Sequence, residues 1–186
     1  MPREPIVFQE GIDAIEESLQ RLRRVEKQLG LVVPEWSMAP VVEACQAMRG
    51  ASFLVAVTFA AEIGDVRRFD TPRQLASFLG LVPAESSTGD TIRRKGLTLA
   101  GNRRARRALV EAAWTYRYAR VSETLRARLE GLPKPVRDIA WKAQVRLCAR
   151  YRRLSATGKK LPVVVAAIAR EMAAFLWAIG REVAPA

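Results

Sequence analysis

The apolar pattern near the start of the chain fits a helix with one apolar stripe. Within residues 6–29, large apolar side chains recur at spacings of four and three residues: Phe8, Ile12, Ile15, Leu19 and Leu22. This is an a/d pattern, and charged residues occupy most other positions. Val25 and Leu29 continue the stripe with a slip, and Gly30 and Pro34 are expected to end the helix. The stripe indicates either a coiled-coil or helical-hairpin arm, or a helix packed on its own domain.

Two helices are expected next, at about residues 40–48 and 52–63, joined at Arg49-Gly50-Ala51. The turn is similar to a helix-hairpin-helix, in which backbone N–H groups hold a DNA phosphate at a helix N-terminus. Gly50 is therefore a candidate DNA contact. Ser52 stands where a second glycine is usual, and a plain pair of antiparallel helices remains the alternative.

The clearest helix boundaries lie around a short helix that follows. Thr71 is its predicted N-cap, Pro72 occupies the first helical position and Gly80 is the stop signal. Residues 81–101 show no regular period and are expected to be irregular.

Asn102 is predicted to cap a long helix that runs to about Arg120. At 100° per residue, one face is apolar and carries Ala105, Leu109, Ala112 and Tyr116. The opposite face carries Arg103, Arg106, Arg107 and Arg117, together with Trp114. Exposed arginines beside an aromatic ring suit a nucleic-acid surface, through charge and stacking. Trp114 could equally pack against a neighbouring helix.

The remaining chain predicts two more long helices after a break at residues 131–135. The first should turn Trp141, Val145 and Cys148 to the core. Its other side should carry a second basic stripe, made of Lys142, Arg146, Arg150 and Arg153. Gly158 should stop this helix and Pro162 should start the last one, which is apolar almost all round and therefore expected to be buried.

These patterns contain no convincing strand, so the predicted fold class is all-α. The length of 186 residues fits one domain, or one domain with an extension. We expect a coiled-coil or oligomerisation helix over residues 1–36 and a compact helical domain over residues 37–186. Within it, residues 37–120 hold the hairpin, a serine loop and the basic helix, and residues 121–186 hold the C-terminal helices.

Charge divides the chain into two unequal halves. Residues 1–80 contain 9 basic and 11 acidic residues, whereas residues 81–186 contain 22 basic and 8 acidic ones. Such asymmetry indicates a polyanionic partner for the second half, most simply nucleic acid. The alternative is that arginine-rich helices only reflect a GC-rich genome.

Several classes of protein are excluded by what the sequence lacks. It contains no histidine, which rules out histidine-based zinc sites, Ser-His triads and histidine bases. Its two cysteines, Cys45 and Cys148, do not make a disulfide scaffold and fit a reducing cytosol. No apolar run is expected to reach the ~20 residues of a membrane span, and no signal peptide is recognised. A cytoplasmic, nucleoid-associated bacterial protein without a membrane partner is expected.

The stretch SSTGDTIRRKGLTLAGNRRARRALVEAAW, residues 86–114, combines a hydroxyl-rich glycine turn with seven lysines or arginines. Such a turn is suited to phosphate chemistry, because clustered cations neutralise phosphate and developing charge. Glycines would let the backbone approach a strand closely. The candidate residues are Ser86, Ser87, Thr88, Gly89, Arg93, Arg94 and Lys95. A purely structural turn is the alternative.

Residues 62–114, EIGDVRRFDTPRQLASFLGLVPAESSTGD and RRKGLTLAGNRRARRALVEAAW, resemble the C-terminal domain of the insertion-sequence one-hundred-and-ten transposases. These are DNA recombinases guided by a structured bridge RNA. The likeness continues through YRYARVSETLRARLEGLPKPVRDIAWKAQVRLCARYRRL and VVVAAIAREMAAFLWAI. The segments at residues 6–29 and 34–50 look like the coiled-coil arm and entry helices of that family.

The resemblance implies a serine that attacks a DNA phosphodiester and keeps the cut strand as a phosphoserine ester. Alignment of the family's Ser-Ser-Gly pattern on Gly89 assigns the nucleophile to Ser87, with Thr88 and then Ser86 as rivals. The candidate DNA contacts are Arg93, Arg94, Lys95, Asn102, Arg103, Arg106 and Arg107. In the family, the rest of the site is an N-terminal RNase H-like domain with four metal-binding carboxylates.

This sequence departs from the family pattern in two ways. The family usually has Gly-Ile-Thr-Lys-x-Gly-Asn where residues 96–102 are GLTLAGN, so a basic residue is absent at Leu99. The RNase H-like carboxylates are also absent, and no paired-carboxylate motif in residues 1–80 replaces them. We therefore expect no metal site in this chain, with the divalent metal, magnesium, in the RNase H-like domain.

On its own the chain is expected to bind but not to transpose. The expected partners are DNA, a structured guide RNA and further copies of the chain, as a dimer or tetramer. A non-catalytic nucleic-acid-binding remnant of a transposase is the main alternative, and a coiled-coil assembly protein is a third.

Overall fold

The structure is a computed structural model that describes residues 4–85, 94–98 and 100–183. The chain divides into two compact units, Met1–Trp36 and Ser37–Ala186. Helices dominate both units, which confirms the all-α fold class.

The first unit contains one long helix, α1 (Glu4–Val32), which passes into a short 3-10 helix at Val33–Glu35. The helix expected over residues 6–29 is confirmed, but Gly30 lies inside it and does not end it. Pro34 lies at the start of the 3-10 helix, where the absent N–H would have no helical partner. Most of the apolar stripe is exposed, including Ile15, Leu19, Leu22 and Val25.

The second unit contains seven α-helices within the described residues. They are α2 (Ala39–Cys45), α3 (Phe53–Ile63), α4 (Pro72–Phe78), α5 (Arg103–Ala113), α6 (Glu123–Leu129), α7 (Lys134–Ala156) and α8 (Leu161–Glu182). Short 3-10 helices occupy Val66–Arg68 and Trp114–Arg117. The helices expected at 40–48 and 52–63 correspond to α2 and α3.

Helix α8 is the centre of the core, as its apolar sequence predicts. It packs against α7, α5, α4 and α2. Its fully buried residues include Val164, Val165, Ile168, Met172, Leu176 and Ile179. The Trp177 indole donates a hydrogen bond of 2.9 Å to the carbonyl oxygen of Phe69, which ties the helix to the segment before α4.

Helix α8 also corrects one expectation from the sequence. By length and composition it is apolar enough to cross a membrane, although no run of that kind was expected. Half of its most apolar window is buried inside the protein. Since a core helix has the same composition as a membrane span, these buried contacts account for its hydropathy.

Residues 81–101 are not wholly irregular, and the expectation that the chain has no strand is wrong. Strands β1 (Pro83–Glu85) and β2 (Arg94–Leu97) pair antiparallel, with Pro83 opposite Leu97 and Glu85 opposite Arg94. Strands of three and four residues are too short for an alternating pattern to be recognised. Their pairing depends on backbone hydrogen bonds, which the side-chain sequence does not reveal.

Helix α5 begins where expected but ends earlier. Ala105, Leu109, Ala112 and Tyr116 are buried, which confirms the apolar face. The α-helix stops at Ala113 rather than near Arg120, and the chain tightens into the 3-10 helix Trp114–Arg117. There the Thr115 hydroxyl donates a hydrogen bond of 2.8 Å to the Ala112 carbonyl oxygen. Such a local side-chain bond competes with regular helical geometry.

The core face predicted for α7 is wrong for two of its three residues. Trp141 is 62% exposed and Val145 is 54% exposed, while Cys148 is buried. The actual inward face consists of Val136, Ala140, Ala143, Gln144, Leu147, Cys148 and Tyr151. Small residues of this face, Ala140 and Ala143, are buried, whereas Trp141 and Val145 project from neighbouring positions of the helix that face solvent.

Candidate nucleic-acid interface

The turn predicted to carry the nucleophile lies outside the described residues. This applies to Ser86, Ser87, Thr88, Gly89 and Arg93, and also to Leu99. Arg94 and Lys95 lie in β2, and only their backbone is described. Residues 86–93 join the paired residues Glu85 and Arg94 in sequence. What the structure describes is the base of this connection.

Two glycines bring the ends of the segment that contains β1 and β2 together. Gly80 and Gly101 have φ angles of +65° and +111°, a region that favours glycine. A Cβ atom on Gly80 would collide with the carbonyl oxygen of Ala100, and one on Gly101 would collide with that of Phe78. We call this close contact the glycine clamp. It fixes the base of the β1–β2 pair, which we call the hairpin from here on, directly before α5.

Asn102 supports the same junction through three hydrogen bonds. Its backbone N–H donates to the Phe78 carbonyl oxygen at 2.9 Å. Its side-chain oxygen accepts from the Ala105 N–H at 2.9 Å, which confirms the predicted N-cap. Its amide nitrogen donates to Glu62 Oε2 at 2.7 Å. The structure thus assigns this predicted DNA contact a structural role at the start of α5.

The arginines of α5 are not equivalent. Arg103 and Arg107 are exposed, as a binding surface requires. Arg106 is half-buried, and its Nη1 donates a hydrogen bond of 2.8 Å to the Leu79 carbonyl oxygen, beside Gly80. Arg106 therefore stabilises the backbone at the glycine clamp. Trp114 is half-buried at the end of the helix rather than openly displayed.

The Gly50 turn faces α5 on its inner side. Gly50 has a φ of +81°, and a Cβ there would meet the Ala112 carbonyl oxygen and, at 2.7 Å, Thr115 Oγ1. Packing alone thus requires a glycine at this position.

Arg49 is a residue that sequence reasoning missed. Its guanidinium donates to Gln144 Oε1 at 2.9 Å, to the Thr115 carbonyl oxygen at 3.2 Å and to the Arg120 carbonyl oxygen. Gln144 is buried and donates to the Ala119 carbonyl oxygen at 3.2 Å. Arg49 thus joins the α2–α3 turn to α7 and to the segment after α5. Gln144 is the polar residue on the otherwise apolar inward face of α7, and this was the signal that could have indicated a buried polar partner.

The second basic stripe is only partly available to a ligand. Glu171 on α8 lies 2.9 Å from Arg146 Nε and 2.8 Å from Arg150 Nε. Lys142 and Arg153 are exposed. A groove of about 870 Å³ lies between the hairpin and α8, with Arg150, Arg170 and Glu171 at its polar wall. Its apolar lining includes Leu81, Pro83, Leu97, Val163, Ala166 and Ala167.

Neither cysteine is suited to nucleophilic attack. Burial raises the pKa of the Cys45 thiol to about 12. Burial also raises the pKa of the Cys148 thiol, against the opposite influence of Arg49 and Arg152. Because the thiolate is the reactive form, both groups are protonated and inert near neutral pH.

Over residues 4–85, 94–98 and 100–183, no three acidic, cysteine or histidine side chains are grouped to hold a metal ion. The resemblance places its divalent metal in an RNase H-like domain, and that site stays a prediction.

This basic, mostly helical domain is similar to known transposases. Residues 42–130, from within α2 to just after α6, match the model of the Transposase IS116/IS110/IS902 family. The match includes the α2–α3 hairpin, the glycine clamp and α5. Residues 42–130 are therefore similar to the domain that this transposase family model describes.

Individual relatives agree with the family model. The chain is 57% identical over 159 residues to "Putative transposase y4qE" of Sinorhizobium fredii, an alignment that covers 85% of this chain and 41% of that protein. It is 34% identical over 80 residues to the transposase for insertion sequence element IS1111A of Coxiella burnetii, covering 41% of this chain and 22% of that protein.

A third relative is the insertion element IS110 43.6 kDa protein of Streptomyces coelicolor, 28% identical over 95 residues. That alignment covers 51% of this chain and 23% of the relative. The chain thus spans less than half the length of each of these proteins.

Proposed function

We propose that this chain is the serine-bearing part of a DNA transposase, which binds DNA and supplies Ser87 for strand cleavage and exchange under the guidance of RNA. The family match and the 57% identical relative support the class of protein. The observation that carries the proposal is the glycine clamp. It holds both ends of the serine-bearing hairpin against the start of α5, where Arg103 and Arg107 are exposed.

The proposed step is a transesterification at phosphorus. The Ser87 Oγ atom forms a bond to the phosphorus of a DNA phosphodiester. The serine hydroxyl gives up its proton, the bond from phosphorus to one deoxyribose oxygen breaks, and that oxygen takes up one proton and leaves as a hydroxyl, so the step is balanced. Without histidine, the hydroxyl depends on its surroundings for activation. We assign to Arg93, Arg94 and Lys95 the neutralisation of the phosphate as charge develops.

We assign DNA binding to the exposed cations of α5. Arg103 and Arg107 are proposed to contact backbone phosphates, which position a duplex without reading its sequence. Arg106 and Asn102 are proposed to support DNA binding without contacting DNA. Their hydrogen bonds to Leu79 and Glu62 hold the hairpin and α5 in place. Gly50 is proposed to let its turn approach a phosphate, in addition to its packing role.

The remaining partners follow from the same proposal. The divalent metal, magnesium, belongs to an RNase H-like domain outside the described residues, and the guide RNA selects the DNA target. The exposed stripe of α1 joins copies of the chain into a dimer or tetramer. We place the assembly in the bacterial cytoplasm, at the nucleoid.

The test is covalent trapping in a complete assembly: this chain reconstituted with an RNase H-like domain, guide RNA, divalent metal and nicked substrate DNA. A protein–DNA adduct that survives denaturation is expected. Ser87→Ala should abolish the adduct and leave DNA affinity nearly unchanged, because the change removes a hydroxyl but no charge. Thr88→Ala and Ser86→Ala are the matched controls and should retain adduct.

The three variants distinguish the competing assignments. Loss of adduct in Thr88→Ala but not in Ser87→Ala would move the nucleophile by one residue. Adduct that survives in all three variants would exclude the turn as its source. DNA binding without any adduct, even in the unaltered protein, would favour a non-catalytic remnant that uses the same basic surface.

A further inference from the structure

The side of α7 that sequence reasoning assigned to the core is an exposed aromatic and basic surface. Trp141 and Tyr118 are 62% and 64% exposed. Within the described part of the second unit, they are the two aromatic residues with large exposed fractions. An exposed tryptophan is costly to hydrate and is uncommon without a partner.

Tyr118 precedes α7 in the chain, and its backbone is held beside the side of α7 that carries Trp141. Trp141, Val145 and Cys148 follow one another at spacings of four and three residues, so they form one ridge. The Cys148 Sγ lies 3.7 Å from the Tyr118 carbonyl oxygen, in a weak hydrogen bond. Gln144 holds the next residue, Ala119, through the 3.2 Å bond to its carbonyl oxygen. The backbone at residues 118–119 is thereby fixed along the ridge.

Positive charge surrounds this ridge. Lys142, Arg117 and Arg152 are exposed, and none of them forms an ion pair with any side chain in the described ranges. The Arg117 guanidinium lies 5.8 Å from the centre of the Tyr118 ring. The acidic residue of this part of α7, Asp138, is paired with Lys134 at 2.7 Å. We call Trp141, Tyr118, Val145, Lys142, Arg117 and Arg152 the Trp141 surface.

We propose that the Trp141 surface binds single-stranded nucleic acid. Trp141 and Tyr118 stack on unpaired bases, and the three cations contact the adjacent phosphates. Stacking requires a base whose face is accessible, which a continuous duplex does not offer. The excess of cations favours a polyanion over an apolar protein partner. This surface does not include the hairpin or α5, so the proposal stands apart from Ser87 and its chemistry.

The experiment measures binding of the chain to three labelled probes by fluorescence anisotropy: a 20-nucleotide oligo(dT), an oligo(U) of the same length and a 20-base-pair duplex. Trp141→Ala should weaken binding to single strands at least about fivefold, the lower end of one base–aromatic stack. Binding to the duplex should stay within about twofold, since the stack contributes nothing there. Trp141→Phe, which keeps an aromatic face, should restore most of the single-strand affinity.

Two further variants separate stacking from charge. Trp141→Ala should leave the dependence of single-strand affinity on salt unchanged, whereas Lys142→Gln with Arg152→Gln should reduce it. Leu161→Ala removes an exposed apolar side chain elsewhere and serves as the control, with no effect expected. A preference for oligo(U) would identify RNA as the natural strand, and a preference for oligo(dT) would identify DNA.

The proposal is overturned if no single strand binds, if Trp141→Ala weakens duplex and single strands equally, or if Trp141→Phe fails to restore binding. A fall in molar mass on Trp141→Ala, measured by light scattering, together with unchanged single-strand affinity, would show that this surface joins protein chains instead.

Discussion

At the scale of single residues, arginines that look alike in the sequence have different roles in the structure. Arg49 and Arg106 donate to backbone carbonyl oxygens and hold segments together. Arg146 and Arg150 share one carboxylate on Glu171. Only an exposed cation without such partners is well placed for an external phosphate. A substitution that removes several arginines together would therefore confuse binding with folding whenever it includes Arg106.

The glycine clamp gives a prediction for one residue with a matched control. Gly80→Ala and Gly158→Ala both place a Cβ at positive φ, +65° and +71°, which costs about 1–2 kcal/mol of stability. At Gly158 no heavy atom lies within 4 Å of the new Cβ, whereas at Gly80 the Ala100 carbonyl oxygen and Arg106 stand in its way. Urea unfolding should therefore show a larger loss for Gly80→Ala.

Equal losses of stability in the two variants would mean that the backbone angle alone sets the loss. In that case no close contact would exist at the base of the hairpin. A larger loss for Gly158→Ala would contradict the clamp outright.

At the scale of helices and strands, local signals predicted boundaries well. The Thr71 and Asn102 caps are present, with side chains that accept from the N–H groups of Gln74 and Ala105. The apolar last helix is buried. These features depend on chemistry within one turn, which a sequence contains directly.

Features that depend on distant neighbours were missed. The strands β1 and β2 lie between Gly80 and Gly101, where distant parts of the backbone come into close contact. Arg106 and Arg49 donate hydrogen bonds to carbonyl oxygens that are distant in sequence, those of Leu79 and Thr115 respectively. On α7 the inward position of Gln144 follows from the bond to Arg49, 95 residues away in sequence, and Trp141 is left outside. The chemistry of residues 86–93 remains a prediction from the family resemblance.

At this scale, the testable prediction concerns self-association through helix α1. Its exposed apolar stripe should cause self-association, since a helix of 29 residues gains most of its stability from packing. Ile15→Asp places a charge in the middle of the stripe and should lower the molar mass measured by light scattering. Glu16→Gln, next to it on the polar side, is the control and should leave the mass unchanged. A monomer at high concentration that also tolerates Ile15→Asp would refute self-association through α1.

At the scale of the whole molecule, charge is distributed unevenly along the chain. Residues 81–186 contain 22 basic and 8 acidic residues, a net charge of +14. Residues 1–80 are close to neutral, with 9 basic and 11 acidic residues. A polyanion is therefore expected to be attracted to residues 81–186 rather than to residues 1–80.

The central claim is that residues 81–186 bind DNA through exposed cations, and its most direct test is the affinity of this chain for a duplex across a salt series. Because binding releases counterions, the logarithm of affinity should fall steeply and linearly with the logarithm of salt concentration. Arg103→Gln with Arg107→Gln should reduce the slope by about two, because each of these arginines is assigned to one phosphate. Arg67→Gln with Arg73→Gln removes the same charge from the other half and should leave the slope unchanged. A flat salt dependence, absence of binding at low salt, or an equal effect of the control pair would contradict the claim.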